Sequence, residues 1–403
     1  PYETLFDAEI HEKTGPEAML CLHGDAQEIK RRLCFLEDGC ALGRLLDIDV
    51  IAPDGRKLSR TEIGLSPRKC LLCENDAPVC ARSRAHSADQ LFARAGEIID
   101  AHFEEAFIRR TAENAQRALL CEVAVTPKPG LVDRHNSGAH DDMDVFTFIH
   151  SACTLCGYFE TCTRIGLAHR GGDAQACFDA LRVPGLLAEA DMRRATAGVN
   201  THKGAIFSLG IACASLGMSW GEPFSAEHIL LRCGEMTRLR MQDELENARQ
   251  GQARTFGEQV YQKKGVGGVR AEAAGGFAGV RETALPRLNA ALDAGLSLND
   301  AALCALTALM ARTEDTNAVR RGGEAGAKAM REKAQMLDSR MTAAIAAGKA
   351  QEVLDDFRHE LTLWDQELTR QRISPGGCAD LLALALLMRF CREDADSSAR
   401  AAK

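Results

Sequence analysis

The sequence predicts a mainly α protein, a large all-α helical domain preceded by a smaller α+β domain. Three observations carry this. From about residue 89 onward, apolar residues recur at three- and four-residue spacing through one segment after another. Aromatic residues are only 5% of the 403 residues, so Ala, Leu, Ile, Val and Met must build the core, which suits close-packed helices. Before residue 85 the pattern is mixed, with an apolar, partly alternating run (Leu45 to Ile51) entering a Pro-Asp-Gly turn.

In chain order, EIKRRLCFLEDG reads as a short amphipathic helix, and the run from Leu45 to Ile51 as a strand entering the turn. A long helix from Gln90 stops at Thr126-Pro127, because the residue before a proline is driven out of the helical region. A broken segment follows, then a helical run from Asp144 to Arg170. Further helical patterns cover about 174–196, 203–219, 225–247, 281–294, 298–313, 322–348, 350–371 and 377–392. The length suits two domains or three, with the joint between the mixed and the helical part expected near residues 88–108.

Bulk composition excludes several classes. With 46% hydrophobic and 26% charged residues the chain is globular. A net charge of -8 gives no reason to expect nucleic acid or an acidic membrane as partner. Sixteen cysteines scattered through helical patterns, with no leader or membrane-spanning run in view, read as reduced thiols in a cytoplasm. The chain opens at Pro1 and reads as a fragment or a processed product.

Polar, Gly-rich segments separate the helices. TPKPGLVDRHNSGAHDDMD holds Asp133, Asp141, Asp142 and Asp144, hard oxygen ligands of the kind Mg²⁺ prefers, with His140 beside them and Lys128 and Arg134 as anion partners. That mixture describes a site for Mg²⁺ and phosphate together; the bland alternative is a solvated turn with Asp141 capping the next helix. GVNTHKG offers Asn200, His202 and Lys203. KKGVGGVRAEAAGG carries Arg270 and Glu272 between glycine pairs. TEDTNAVRRGG supplies Asp315 as a second-site ligand and Arg320 and Arg321 as a phosphate cradle. In ISPGGCADLLA, Gly376 and Gly377 leave helix N–H groups approachable by an anion, and Asp380 sits where a carboxylate is favourable anyway.

In the first domain Asp47 and Asp49 are two apart on the expected strand, hence on one face, an arrangement that can hold Mg²⁺ against a triphosphate. Cys70-x2-Cys73-x6-Cys80-x5-His86 offers a Cys₃His set for tetrahedral Zn²⁺, with reduced cysteines in a compact loop as the plainer alternative.

PKPGLVDRHNSGAHDDMD, NTHKG, GVRAEAAGGF, DTN followed by RGG, and SPGGCADLLA, in that order, resemble triphosphoribosyl-dephospho-CoA synthase over about residues 108–403. GRLLDIDV, LSR, PRKCLLC and CARSRAHS resemble holo-citrate lyase synthase, a phosphoribosyl-dephospho-CoA transferase of nucleotidyltransferase-like type, over about residues 15–90. The resemblance implies a fusion with domains at 1–105 and 106–403. That transferase family carries a sizeable portion before the matching segment, so the first domain is expected to be N-terminally incomplete.

The resemblance implies consecutive reactions. ATP and 3′-dephospho-CoA give 2′-(5″-triphosphoribosyl)-3′-dephospho-CoA and adenine. The phosphoribosyl-dephospho-CoA unit then passes to a serine of the citrate lyase acyl carrier, releasing pyrophosphate. On that chemistry Asp141, Asp142, Asp144 and Asp315 are expected to hold Mg²⁺, and Lys128, Arg134, Lys203, Arg270 and Arg321 to neutralise phosphates. Asp133 is expected to accept the hydroxyl proton. The rival readings are a Mg²⁺-dependent nucleotide or ADP-ribosyl glycohydrolase, and a scaffold that recruits citrate lyase subunits.

Overall fold

The computed structural model describes residues 2–12, 15–247 and 268–401. The chain divides into two compact units, Pro1–Phe107 and Ile108–Lys403.

Unit 1 opens with an antiparallel hairpin, β1 (Glu3–Glu12) and β2 (Gly15–His23), paired from Glu3 opposite His23 to Glu12 opposite Gly15 with a one-residue register shift between Thr4 and Phe6. The sequence pattern does not predict this hairpin. β1 is exposed along nearly its whole length, so neither face carries the clean apolar alternation that marks a half-buried strand. Helix α1 (Ala26–Asp38) follows, capped by Asp25, whose carboxylate accepts from Glu28 N at 2.8 Å. It buries Ile29 against Val50 and Leu58, with Tyr2, Leu22, Ala26 and Leu33 packed around them.

The expected strand over Leu45 to Ile51 is not formed. Leu42–Leu45 is a 3₁₀ turn, and the run beyond it is extended but makes only an isolated bridge, Ile51 to Lys57. The bridge closes the Pro-Asp-Gly turn, with Leu58 N bonded to Val50 O and Ala52 N to Arg56 O. A strand needs a neighbour along its length, and β1 and β2 pair with each other instead. Two further helices complete the unit's elements: α2 (Ala77–Ser83), and α3 (Ala88–Ala124), which runs on past Phe107.

Among its described residues the α-helices of unit 2 beyond α3 are α4 (Val145–Thr154), α5 (Cys156–Ala168), α6 (Ala174–Ala180), α7 (Arg182–Ala195), α8 (Lys203–Met218), α9 (Ala226–Asn247), α10 (Gly268–Ala274), α11 (Leu285–Asp293), α12 (Leu298–Arg312), α13 (Thr316–Ala346), α14 (Leu354–Gln371) and α15 (Gly376–Ala401), with a π-helical turn at Gly279–Ala284 and a 3₁₀ turn at Ala350–Val353. Of the loop KKGVGGVRAEAAGG, residues 263–267 lie outside the described residues.

The core sits around α8, α12 and the first half of α15. α8 is buried from Ser208 through Met218, and α12 from Asp300 through Ala311; both are apolar nearly all round, as expected of helices enclosed by others. Small residues set the spacing. A Cβ on Gly166 of α5 would lie 1.9 Å from Ala214 O of α8, and one on Gly217 would lie 2.3 Å from Thr163 O. The two helix backbones therefore touch, which the shortage of aromatic residues anticipates.

Candidate active site

A cavity of about 290 Å³ opens among the ends of α3, α8, α13 and α15 and the broken segment between α3 and α4. A shallower depression near Arg281 and Asn289 carries none of the motif residues.

The broken segment is held rigidly. Thr126-Pro127 is cis, and Gly130 and Gly138 have φ of 73° and 54°. Asp133 organises it: one oxygen accepts from Thr126 Oγ1 (2.7 Å) and Lys128 N (2.9 Å), the other from His135 N (2.7 Å) and Asn136 N (3.1 Å). Asp365 of α14 pins the same segment by accepting from Gly130 N (2.9 Å) and Asn136 Nδ2 (2.7 Å). Asp133, expected to take the hydroxyl proton, thus accepts from four donors on its two oxygens and is not among the residues that line the cavity.

The four expected metal carboxylates part company. Asp144 caps α4 in a capping box with Thr147, accepting from Thr147 N at 2.9 Å and Thr147 Oγ1 at 2.8 Å. Asp141 is exposed and pairs with Arg372 at 2.8 Å. Asp315 is buried. It accepts from Asn317 N (2.8 Å) and Ala318 N (3.0 Å) of α13 and from Cys378 N (2.9 Å) of α15, so one carboxylate closes two helix starts. Only Asp142 faces the cavity. The structure does not bring the four together: Asp144 and Asp315 cap helix starts, Asp141 pairs with Arg372, and Asp142 lines the cavity.

The cations also divide. Arg320, Arg321 and Lys203 line the cavity. Arg321 donates to Ala139 O (2.9 Å) and to His140 Nδ1 (3.1 Å). His140 Nε2 then carries the proton and donates to Ser374 Oγ at 3.0 Å. Burial first, then the Arg321 charge, lower the His140 pKa to about 4. Lys203 also pairs with Glu189 at 3.1 Å. Arg134 is exposed against Asn299, and Arg270 sits on α10; neither lines the cavity. Of the expected glycines, Gly376 lines it, while Gly377 packs on Asp315.

Lys128 is only 1% exposed. It lines the cavity, where its ammonium donates to Glu122 O at 2.7 Å and to the Glu122 carboxylate. Glu122 is the group that sequence reasoning missed. A single acid in the apolar turn ALLCEVAV, just before the helix stop, was the available signal.

Asp380 is the third carboxylate in the wall, after Asp142 and Glu122, on the second turn of α15 against Gly204, whose hypothetical Cβ would lie 1.9 Å from Asp380 Oδ2. Burial, then the charges of Glu122 and Asp315, raise its pKa well above the usual carboxylate range. Burial also raises Glu122, but Lys128 opposes it.

His202 completes the wall. Thr201 Oγ1 donates to Ser151 Oγ (2.8 Å), and Ser151 donates to His202 Nδ1 (2.6 Å). The proton is therefore on Nε2, which is buried without a hydrogen-bond partner. Burial and the Lys128 charge hold the pKa near 3, so the ring is neutral. An unpaired buried donor in a cavity wall is a place for a ligand acceptor.

In unit 1 Asp47 is fully solvated, its nearest cation being Arg68 at 4.0 Å, whereas Asp49 pairs with Lys57. The Lys57 pKa is raised by its hydrogen bond to Asp49 and by both aspartate charges, so the ammonium stands near both carboxylates. Cys70, Cys73, Cys80 and His86 do converge, with one ligand atom from each within 4.8 Å of all the others.

Comparison with known proteins agrees with this division. Residues 108–398 match the family ATP:dephospho-CoA triphosphoribosyl transferase, and residues 2–102 match apo-citrate lyase phosphoribosyl-dephospho-CoA transferase. Protein CitXG of Haemophilus influenzae is 35% identical over 383 residues, covering 93% of this chain and 79% of that protein. Protein CitXG of Leuconostoc mesenteroides is 34% identical over 94% of this chain and 81% of its own length. A probable 2-(5″-triphosphoribosyl)-3′-dephosphocoenzyme-A synthase of Vibrio cholerae is 40% identical over 276 residues, 68% of this chain and 85% of that protein.

Proposed function

The chain belongs to the ATP:dephospho-CoA triphosphoribosyl transferase family over residues 108–398 and to the apo-citrate lyase phosphoribosyl-dephospho-CoA transferase family over residues 2–102, and from that premise we propose that the unit 2 cavity is where adenine is exchanged for dephospho-CoA. The observation that supports this most is the pair of carboxylates in its wall, the buried Glu122 in an ion pair with Lys128 and the half-buried Asp380 packed against Gly204. Two carboxyl groups whose surroundings separate their protonation states can serve as base and acid in one displacement.

Glu122, paired with the Lys128 ammonium, takes the proton of the dephospho-CoA ribose 2′-hydroxyl as that oxygen attacks C1 of the ATP ribose. Asp380, whose pKa burial and the charges of Glu122 and Asp315 raise, gives its proton to the departing adenine, and the triphosphate stays on the sugar. The neutral His202 Nε2–H holds a purine nitrogen. Arg320, Arg321 and Lys203 grip phosphate oxygens. Such a displacement passes through an oxocarbenium-like sugar, and proton transfer by a placed side chain contributes about 10²–10⁴-fold.

The donor set suits Mg²⁺ arriving with the triphosphate: one solvent-facing carboxylate, Asp142, beside two arginines, rather than a cage of carboxylates. When bound, the ion would neutralise phosphate charge. In unit 1, Asp47 and Asp49 with Lys57 are the groups we assign to the triphosphate during transfer to a serine of the citrate lyase acyl carrier. The two activities are assigned to residues 1–105 and 106–403. Among the described residues no helix is long and apolar enough to cross a membrane.

Mass spectrometry of products from ATP, dephospho-CoA and Mg²⁺ tests this. The expected products are adenine and triphosphoribosyl-dephospho-CoA, with the carrier gaining the phosphoribosyl-dephospho-CoA mass when it is added. Adenine and free ribose triphosphate from ATP alone would identify a hydrolase instead. Carrier binding with no modification would leave only the scaffold reading.

A further inference from the structure

The segment 67–87 of unit 1 is poor in apolar packing. The hydrophobic cluster of that unit has Ile29, Val50 and Leu58 as its buried members, with partners at Tyr2, Leu22, Ala26 and Leu33, and draws nothing from residues 67–87. Yet the segment is folded. Lys69 and Asp76 form an isolated bridge, with Cys70 N bonded to Asn75 O (2.7 Å) and Ala77 N to Arg68 O (2.7 Å), which closes the loop CLLCEN into a tight knuckle. α2 then carries Cys80 inward, and Arg84 ends that helix in the left-handed region at φ 49°, turning the chain so that His86 comes back over the knuckle.

The result is a compact cluster of four soft or borderline donors. Cys73 Sγ lies 3.5 Å from Cys80 Sγ and 3.4 Å from His86 Nε2. In a tetrahedron with Zn–S near 2.3 Å and Zn–N near 2.0–2.1 Å, the corresponding edges are roughly 3.8 and 3.6 Å. The observed separations are within a few tenths of an ångström of these, and all three cysteines are free. Leu72 N points to Cys70 Sγ at 3.5 Å, the type of backbone donor that supports a ligating thiolate.

We propose that Cys70, Cys73, Cys80 and His86 bind one Zn²⁺ as a closed structural site. Three thiolates and an imidazole select Zn²⁺ over the oxygen-seeking Mg²⁺ of the nucleotide chemistry. Four protein ligands fill the tetrahedron, so no position is left for water or substrate, and the role is to hold the fold. The metal substitutes for the missing apolar core by tying the knuckle, α2 and the start of α3 together.

The test uses the full chain, produced with zinc present and dialysed against metal-free buffer. One equivalent of zinc per chain is expected by elemental analysis, falling by at least about tenfold in Cys73→Ser, while adenine release by unit 2 is retained. Because that variant can fail to fold in unit 1, the unaltered chain is also loaded with Co²⁺. Strong visible absorption from tetrahedral cobalt-thiolate is expected. Zinc well below one equivalent in the folded chain, weak octahedral cobalt bands, or a peptide map joining Cys73 to Cys80 by a disulfide would overturn the assignment.

Discussion

Asp380→Asn should lower adenine release and raise stability at once. The carboxyl is raised well above its ordinary value by burial and by the charges of Glu122 and Asp315, against a single backbone donor from Ala205. Between the unfolded value near 3.8 and the raised folded value, the folded protein holds a proton that the unfolded chain has released. Stability therefore falls as pH rises through that interval, by about 1.4 kcal/mol per pH unit. Asparagine keeps the shape and cannot titrate, so the variant loses this slope. Across one pH unit within the interval it gains about 1.4 kcal/mol, a melting shift of roughly 3–6 °C for a unit of this size. Activity should drop about 10²–10⁴-fold, the usual loss of a placed proton donor. Adenine is followed chromatographically with ATP, dephospho-CoA and Mg²⁺, and unfolding is followed calorimetrically at several pH values. Turnover within about threefold of the parent would refute the proton-donor role. A variant less stable than the parent at neutral pH would refute the electrostatic reasoning beneath it.

Asp142→Asn and Asp144→Ala separate metal contact from helix capping. The first should raise the Mg²⁺ concentration needed for half-maximal turnover without changing the melting temperature. The second should lower the melting temperature by roughly 2–4 °C, a typical cap loss, with little change in Mg²⁺ dependence. His140→Gln should flatten the acid limb of the stability profile. The folded His140 pKa of about 4 lies below the unfolded 6.5, so the unfolded chain binds the extra proton in that window and stability is lost as pH falls from 6.5 toward 4. Removing the group should recover about 2 kcal/mol at the acid end, after allowance for solvent screening, read from denaturant midpoints across that range. Gly204→Ala should cut adenine release with dephospho-CoA saturating, because the new methyl would displace the Asp380 carboxylate.

The sequence by itself determined the helical class, the stop of the long helix at Thr126-Pro127, and several of the polar, Gly-rich segments that line the cavity. Those follow from local rules: periodicity, the proline effect and the clustering of charge in glycine-rich breaks. Arg321, Lys203, His140, Gly376 and Asp142 were legible because they stand in such breaks and do line the cavity. What only the tertiary structure decided is which carboxylates are free. Asp133, Asp144 and Asp315 look the same in a sequence as Asp142, but backbone N–H groups of turns and helix starts claim them. Conversely Glu122 and Asp380 sit inside helical patterns that read as ordinary, and they face each other's field only after α3 and α15 pack side by side. The hairpin β1–β2 and the unformed strand at Asp47 and Asp49 have the same origin. A strand exists through its partner, and the choice of partner is not written in the residues that compose it.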